Sequence, residues 1–176
     1  HPAGNTPPTD LLQHIPHDAQ HAEILSLGCG DLRDFLYSVL LHGRRGVSCG
    51  PVPRRFSFMM NDWEPAIHAR NLMLLQMFLD ARDILEIGVI YSSMYNSFVD
   101  AEVLEMIESV AGRLAAAAES PSTWASAELG RLVRFADDRS QQRVCKILAA
   151  YADGSLQSEG AAARVKRERA AVIGTY

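Results

Sequence analysis

The residues best suited to chemistry lie in the stretch Leu25-Ser26-Leu27-Gly28-Cys29-Gly30-Asp31-Leu32-Arg33. A Gly-x-Gly turn after a strand lets the backbone approach a ligand closely. The helix that follows offers free N–H groups to an anion. Farther on, Asn61-Asp62 closes a second apolar run, with Glu64 nearby. An acid at the end of that strand can accept both hydroxyls of a ribose. Gly28, Gly30, Asp31 and Asp62 are therefore the candidate cofactor-binding residues. No catalytic residue is assigned.

The turn departs from the full dinucleotide pattern. Leu32 stands where a third glycine is usual, and Ser26 where an acid often precedes the first glycine. Asp31 and Arg33 would crowd a pocket normally lined by small residues. A Gly-x-Gly alone also serves any tight strand-to-helix turn, so a turn kept for packing is the competing reading. Cys29 sits at a helix N-terminus, which lowers a thiol's pKa. A nucleophile also needs a base, and none is identifiable, so a small packed thiol is expected. His14, His17 and His21 have the i, i+3 and i+4 spacing that can gather imidazoles on one helical face. Pro16 interrupts that segment, and an exposed polar loop is expected with no metal site. No Gly-x-Ser-x-Gly turn supports a serine nucleophile. Trp63 and Trp124 are expected to pack, although Trp63 beside Asp62 is also placed to cap a pocket.

Elements that would position these groups can be read along the chain. Residues 1–22 carry Pro2, Pro7, Pro8 and Pro16 and read as an extended lead-in, with one short helical turn near residues 10–14. Residues 23–27 are a short apolar run stopped by glycines, a buried-strand signal. Asp31 stands as the N-cap of a helix carrying Leu32, Phe35, Leu36, Val39 and Leu40. Residues 42–55, with Gly43, Gly46, Gly50, Pro51 and Pro53, read as a loop. Residues 56–60 are a second strand, and Pro65 opens a helix running to about Leu79. The resulting β-α-β-α order argues for a parallel sheet. Residues 83–98 read as a buried helix, weakened by Gly88 at about 1 kcal/mol relative to Ala. Residues 100–119 form an amphipathic helix, Ser120-Pro121-Ser122 breaks it, and residues 139–152 make another. The expected division is a lead-in over 1–22, a Rossmann-like unit over 23–82, a helical part over 83–155 and an Ala/Arg-rich, helical tail over 156–176. A two-stranded sheet is too small alone, so helices cover it or further strands lie in sequence absent here.

Composition bounds the function. The 176 residues are 48% hydrophobic, 22% charged and 7% aromatic, which is ordinary for a globular chain. Seventeen basic against 21 acidic residues give a net charge of −4, so no overall basic footprint for nucleic acid exists. No apolar run approaches the ~20 residues of a membrane helix. Cys29, Cys49 and Cys145 are too few and too scattered for a disulfide framework or a zinc knuckle. A reduced, intracellular, cytoplasmic or nuclear protein is expected. The start at His1-Pro2, with no initiator Met and no signal-peptide pattern, suggests a fragment of a longer protein. The basic run around residues 164–169 reads as a solvated helix end.

A Gly-x-Gly turn after the first strand and an acid after the second is the layout of S-adenosylmethionine-dependent methyltransferases. The chain also resembles an uncharacterised domain that precedes MYND zinc fingers in fungal proteins and opens an axonemal dynein assembly factor. The resembling residues are His1-Pro2-Ala3-Gly4-Asn5-Thr6-Pro7-Pro8, residues 24–36, Asn61-Asp62, Ala69-Arg70-Asn71-Leu72, then Trp124 and residues 130–137. They span roughly 1–152. The resemblance implies a methyltransferase-like Rossmann fold and intracellular protein-interaction or scaffold roles, with no established catalysis. The family pattern points to Gly28, Cys29, Gly30, Asp31, Arg33, Asp62, Arg70, Asn71 and Trp124. Arg33 and Arg70 are expected to grip Asp31, Asp34 or Asp62 as bidentate partners. Two functional readings stand. One is a non-catalytic interaction or scaffold domain with a protein partner, self-association included. The other is an active methyltransferase that binds S-adenosylmethionine through Gly28, Gly30 and Asp62.

Overall fold

A computed structural model of the chain describes residues 7–16, 18–48, 55–83, 86, 88, 90 and 101–154, with backbone only for 43–48. The fold is α/β: a small parallel sheet followed by helices. Strand β1 (His21–Leu27), helix α1 (Arg33–Ser48), strand β2 (Arg55–Asn61) and helix α2 (Pro65–Asp80) follow in the expected β-α-β-α order. Helix α3 (Ala101–Ala117), the short α4 (Pro121–Ser126), a 3₁₀ turn (Leu129–Arg131) and α5 (Asp138–Ala152) complete the described elements. The chain divides into two compact units, 1–67 and 68–176, with the boundary inside α2.

In the first unit β1 and β2 pair in parallel from His21↔Arg55 to Leu27↔Asn61. Alternation sets the two faces apart, because successive side chains point to opposite sides of a strand. Ala22 and Ile24 on β1, and Phe56, Phe58 and Met60 on β2, lie on the covered face. Phe35 of α1 meets Phe58 edge-on at 4.9 Å, and His42, two helical turns later, meets Phe56 at 6.1 Å. On the other face Leu25, Leu27 and Met59 are exposed.

Helix α1 continues to Ser48, where a loop over 42–55 is expected from sequence. Gly43 and Gly46 each cost about 1 kcal/mol in a helix, but neither breaks it as proline does. The first proline past Leu40 is Pro51, outside the described residues. His42 is also held in place by tertiary contacts. Asp34, Ser38 and His42, four apart along α1, each catch the lead-in. The Thr9 N–H donates to Asp34 Oδ1 at 2.8 Å, and the Leu11 N–H to Ser38 Oγ at 2.8 Å. His42 Nε2 lies 3.0 Å from Asp10 Oδ2. Leu12 is thereby buried, and the turn expected at 10–14 is present.

The second unit is helical. Ala69, Leu72, Met73, Leu74 and Met77 of α2 are buried. Helices α3 and α5 pack on each other, with Val110, Ala111 and Leu114 of α3 and Val144 and Leu148 of α5 buried. A Cβ on Gly112 would lie 3.7 Å from the Ala152 Cβ, and Gln141 donates to the Ala118 carbonyl at 3.1 Å. The expected break at Ser120-Pro121 is a capping box: Ser120 accepts from the Thr123 N–H, and the Thr123 hydroxyl accepts from the Ser120 N–H. Asp137 caps α5 by accepting from the Ser140 N–H at 2.7 Å. Glu86, Gly88 and Ile90 are helical and Ile90 is buried. The rest of the helix expected over 83–98, and the tail over 156–176, lie outside the described residues. No described helix is long and apolar enough to cross a membrane.

Candidate functional site

The glycine turn leaves β1 at its C-terminal end, where α/β sheets place their ligands. Gly28 and Gly30 have φ of 63° and 55°, the left-handed region that side chains rarely adopt. A Cβ on either would meet nothing within 4 Å, so backbone geometry requires these glycines and neighbouring atoms do not. The Cys29 N–H donates to the Asn61 carbonyl at 2.9 Å, extending the β1–β2 ladder into the turn.

Asp62, just past the end of β2, lies against this turn. Its Oδ2 accepts from the Gly30 N–H at 3.2 Å, and its Oδ1 accepts from the Glu64 N–H at 3.2 Å. Each oxygen of the carboxylate thus holds a backbone segment, one in the turn and one at the start of α2. Asp31 serves the helix from one position earlier than an N-cap. Its Oδ1 accepts from the Arg33 N–H at 3.1 Å and from Arg33 Nε at 2.8 Å. Only 6% of the Asp31 side chain is exposed, so this charge-assisted pair fixes the helix entry.

Of the two expected arginine grips, Arg33 makes its own. Among the described residues Arg70 forms no ion pair, and its Nη2 is buried without a hydrogen-bond partner. Arg70 and the buried Asn71 belong to the second unit. There burial pushes the Tyr151 hydroxyl above its ordinary pKa of 10.0, and the Arg70 charge pulls against it. Cys29 is half-buried and lines a cavity of about 10 Å³ with Ser26, Asp31, Phe35, Phe58 and Met60. That volume holds about one water. Trp63 is 83% exposed, contrary to the packing expected for it. It sits at the crest of the turn that Asp62 closes onto Glu64, where the chain leaves the sheet. His17 and Cys49 lie outside the described residues, so the histidine triad is not described. No group of three metal-ligating side chains occurs among the described residues.

Trp124 packs as expected. It is buried, meets Phe135 at 5.0 Å, and its Nε1 donates to the Val133 carbonyl at 2.9 Å. Sequence reading missed two features. One is the Asp34, Ser38, His42 stripe, signalled only by its spacing of four. The other is a groove of about 580 Å³ beside Trp124, with Arg131, Arg134, Asp137 and Asp138 in its lining.

A family model covers residues 2–99 of the chain, more than half of its length. The chain belongs to the family described as Domain of unknown function (DUF4470). No curated protein and no solved structure matches it. The DUF4470 match contains the glycine turn, Asp62, Arg70 and Asn71. Trp124 and residues 130–137, which carry the later part of the resemblance, lie beyond it.

Proposed function

We propose that this DUF4470 chain is a non-catalytic protein-interaction or scaffold domain on a degenerate, methyltransferase-like Rossmann fold. One observation carries the reading. Asp62, the acid placed to take ribose hydroxyls, instead holds the Gly30 and Glu64 N–H groups, one with each oxygen. A bidentate ribose contact would have to share or displace both bonds. Asp31 and Arg33 occupy the mouth of the helix N-terminus with each other. The missing third glycine and Ser26 in place of an acid point the same way. The family setting beside MYND fingers belongs to this reading, with an intracellular protein partner.

A second reading, an S-adenosylmethionine-dependent methyltransferase, draws on the open space over Gly28 and Gly30 and on exposed Trp63. Isothermal titration with S-adenosylmethionine separates the two. A flat titration is expected, with Asp62→Ala changing stability alone. Saturable micromolar binding that Asp62→Ala abolishes would overturn the scaffold reading.

A further inference from the structure

In the first unit the lead-in is held on α1 as a bound peptide would be. Asp34 Oδ1 accepts the Thr9 N–H, Ser38 Oγ accepts the Leu11 N–H, and His42 Nε2 meets both oxygens of Asp10, at 3.1 and 3.0 Å. Residues four apart share one face of a helix, so the three form a single stripe. Ser38 is buried, and its one hydroxyl proton is committed to the Asp34 carbonyl at 2.6 Å, which leaves its lone pairs for the lead-in. Two of the three grips take backbone N–H groups, which almost any sequence offers. The side chains of the lead-in that add specificity are Asp10 and Leu12. Asp10 also shapes the turn, since its Oδ1 accepts from the Leu12 N–H at 2.9 Å. Leu12 is 2% exposed, whereas Pro7, Pro8, Thr9, Gln13, His14 and Pro16 are all exposed. Leu11 fills its place incompletely: with Asp34 it lines the cavity of about 10 Å³ beside Cys29. A segment anchored by one buried leucine and one carboxylate belongs to the weakly held end of a fold.

We propose that this face of α1 is a peptide-docking surface that the lead-in occupies in cis as a strap, and that a partner segment with the same Asp-x-Leu turn displaces it. The chemistry of the partner is that of the lead-in: a carboxylate for His42, a leucine two residues on, and backbone N–H groups for Asp34 and Ser38. Attachment to the same chain gives the lead-in a roughly millimolar effective concentration, so it masks the surface without binding tightly. The proposal deepens the interaction reading and rests on it. Its failure would leave that reading standing, because the S-adenosylmethionine titration tests it separately.

The test uses the full chain and a fluorescein-labelled peptide of residues 7–16, followed by anisotropy. The receptor is the Asp10→Ala/Leu12→Ala variant, whose own lead-in is weakened while Asp34, Ser38 and His42 are intact. Saturable binding is expected there, and binding at least about tenfold weaker to the wild type, whose lead-in competes. Adding His42→Ala to the receptor, or Asp10→Ala to the peptide, should weaken binding at least about tenfold. Thermal melts check folding, and Asp10→Ala alone serves as receptor if the double variant is unfolded. No saturation in a folded receptor, equal affinity for the wild type, or indifference to His42→Ala overturns the proposal. So does an Asp10→Ala chain that fails to fold, since the lead-in would then be an indispensable part of the fold and not a displaceable strap.

Discussion

At Gly28 and Gly30 the backbone has positive φ, and an added Cβ would stand in open space. At Gly130 the φ is outside that region, and an added Cβ would overlap the Trp124 carbonyl. The first pair is there for the bend of the chain, the second for close approach. A turn that needs only its bend leaves its outer surface bare, which a sequence motif reads as room for a ligand. A turn that needs close approach is already filled from within. It holds its neighbours rigidly in place, here Arg131 and Arg134. The glycine motif that draws the eye in sequence is braced by Asp62. The glycine that draws none sits at the better-formed groove.

Substitution by alanine sharpens that contrast. Gly130→Ala has the largest expected effect, about 3 kcal/mol of lost stability, because rigid backbone cannot yield to the new methyl group. A near-neutral result in denaturant unfolding would mean the turn at 129–131 is loosely packed. Gly30→Ala is expected to cost about 1–2 kcal/mol, from the left-handed backbone alone. Gly30→Asn, a larger residue that tolerates this region better, should cost less than Gly30→Ala if the backbone and not space is the constraint.

Much of this arrangement was legible beforehand, and the exceptions have physical causes. Both strands, the entry of α2 at Pro65 and the capped break at Ser120 follow from local signals, since proline, glycine and cap residues act within a few positions. The C-terminal extension of α1 does not, because Gly43 and Gly46 read as breakers while the bond that fixes His42 comes from Asp10, far away in sequence. Asp62 was legible as an acid at a strand end. Its use as a brace was not, since the Gly30 N–H reaches it only once β1 and β2 are in register. The Arg131 and Arg134 groove depends on the Trp124 indole folding back onto Val133, which no periodicity reports.

Smaller effects extend the comparison to glycine inside a helix and to a cap without glycine. Gly112→Ala should stabilise the protein by about 0.5–1 kcal/mol, because a helical glycine is entropically costly and the methyl group meets Ala152 at ordinary contact distance. Loss of stability in a thermal melt would show that α3 and α5 pack more tightly there. Asp137→Ala tests the cap at the groove. The Ser140 N–H holds the Asp137 carboxyl below its ordinary pKa of 3.8. Its stabilising contribution is therefore present above that pH and lost as the pH falls through the lower folded value. Wild type and variant should differ at neutral pH and converge in acid. A difference unchanged across that range would mean the charge plays no part.

The claim that the Asp62 carboxylate is a brace for the glycine turn is tested most directly by amide hydrogen exchange at Gly30. The Gly30 N–H should be protected in the wild type, exposed in Asp62→Ala, and unaffected by added S-adenosylmethionine. A Gly30 amide that exchanges freely in the wild type and becomes protected only as S-adenosylmethionine saturates would contradict the account.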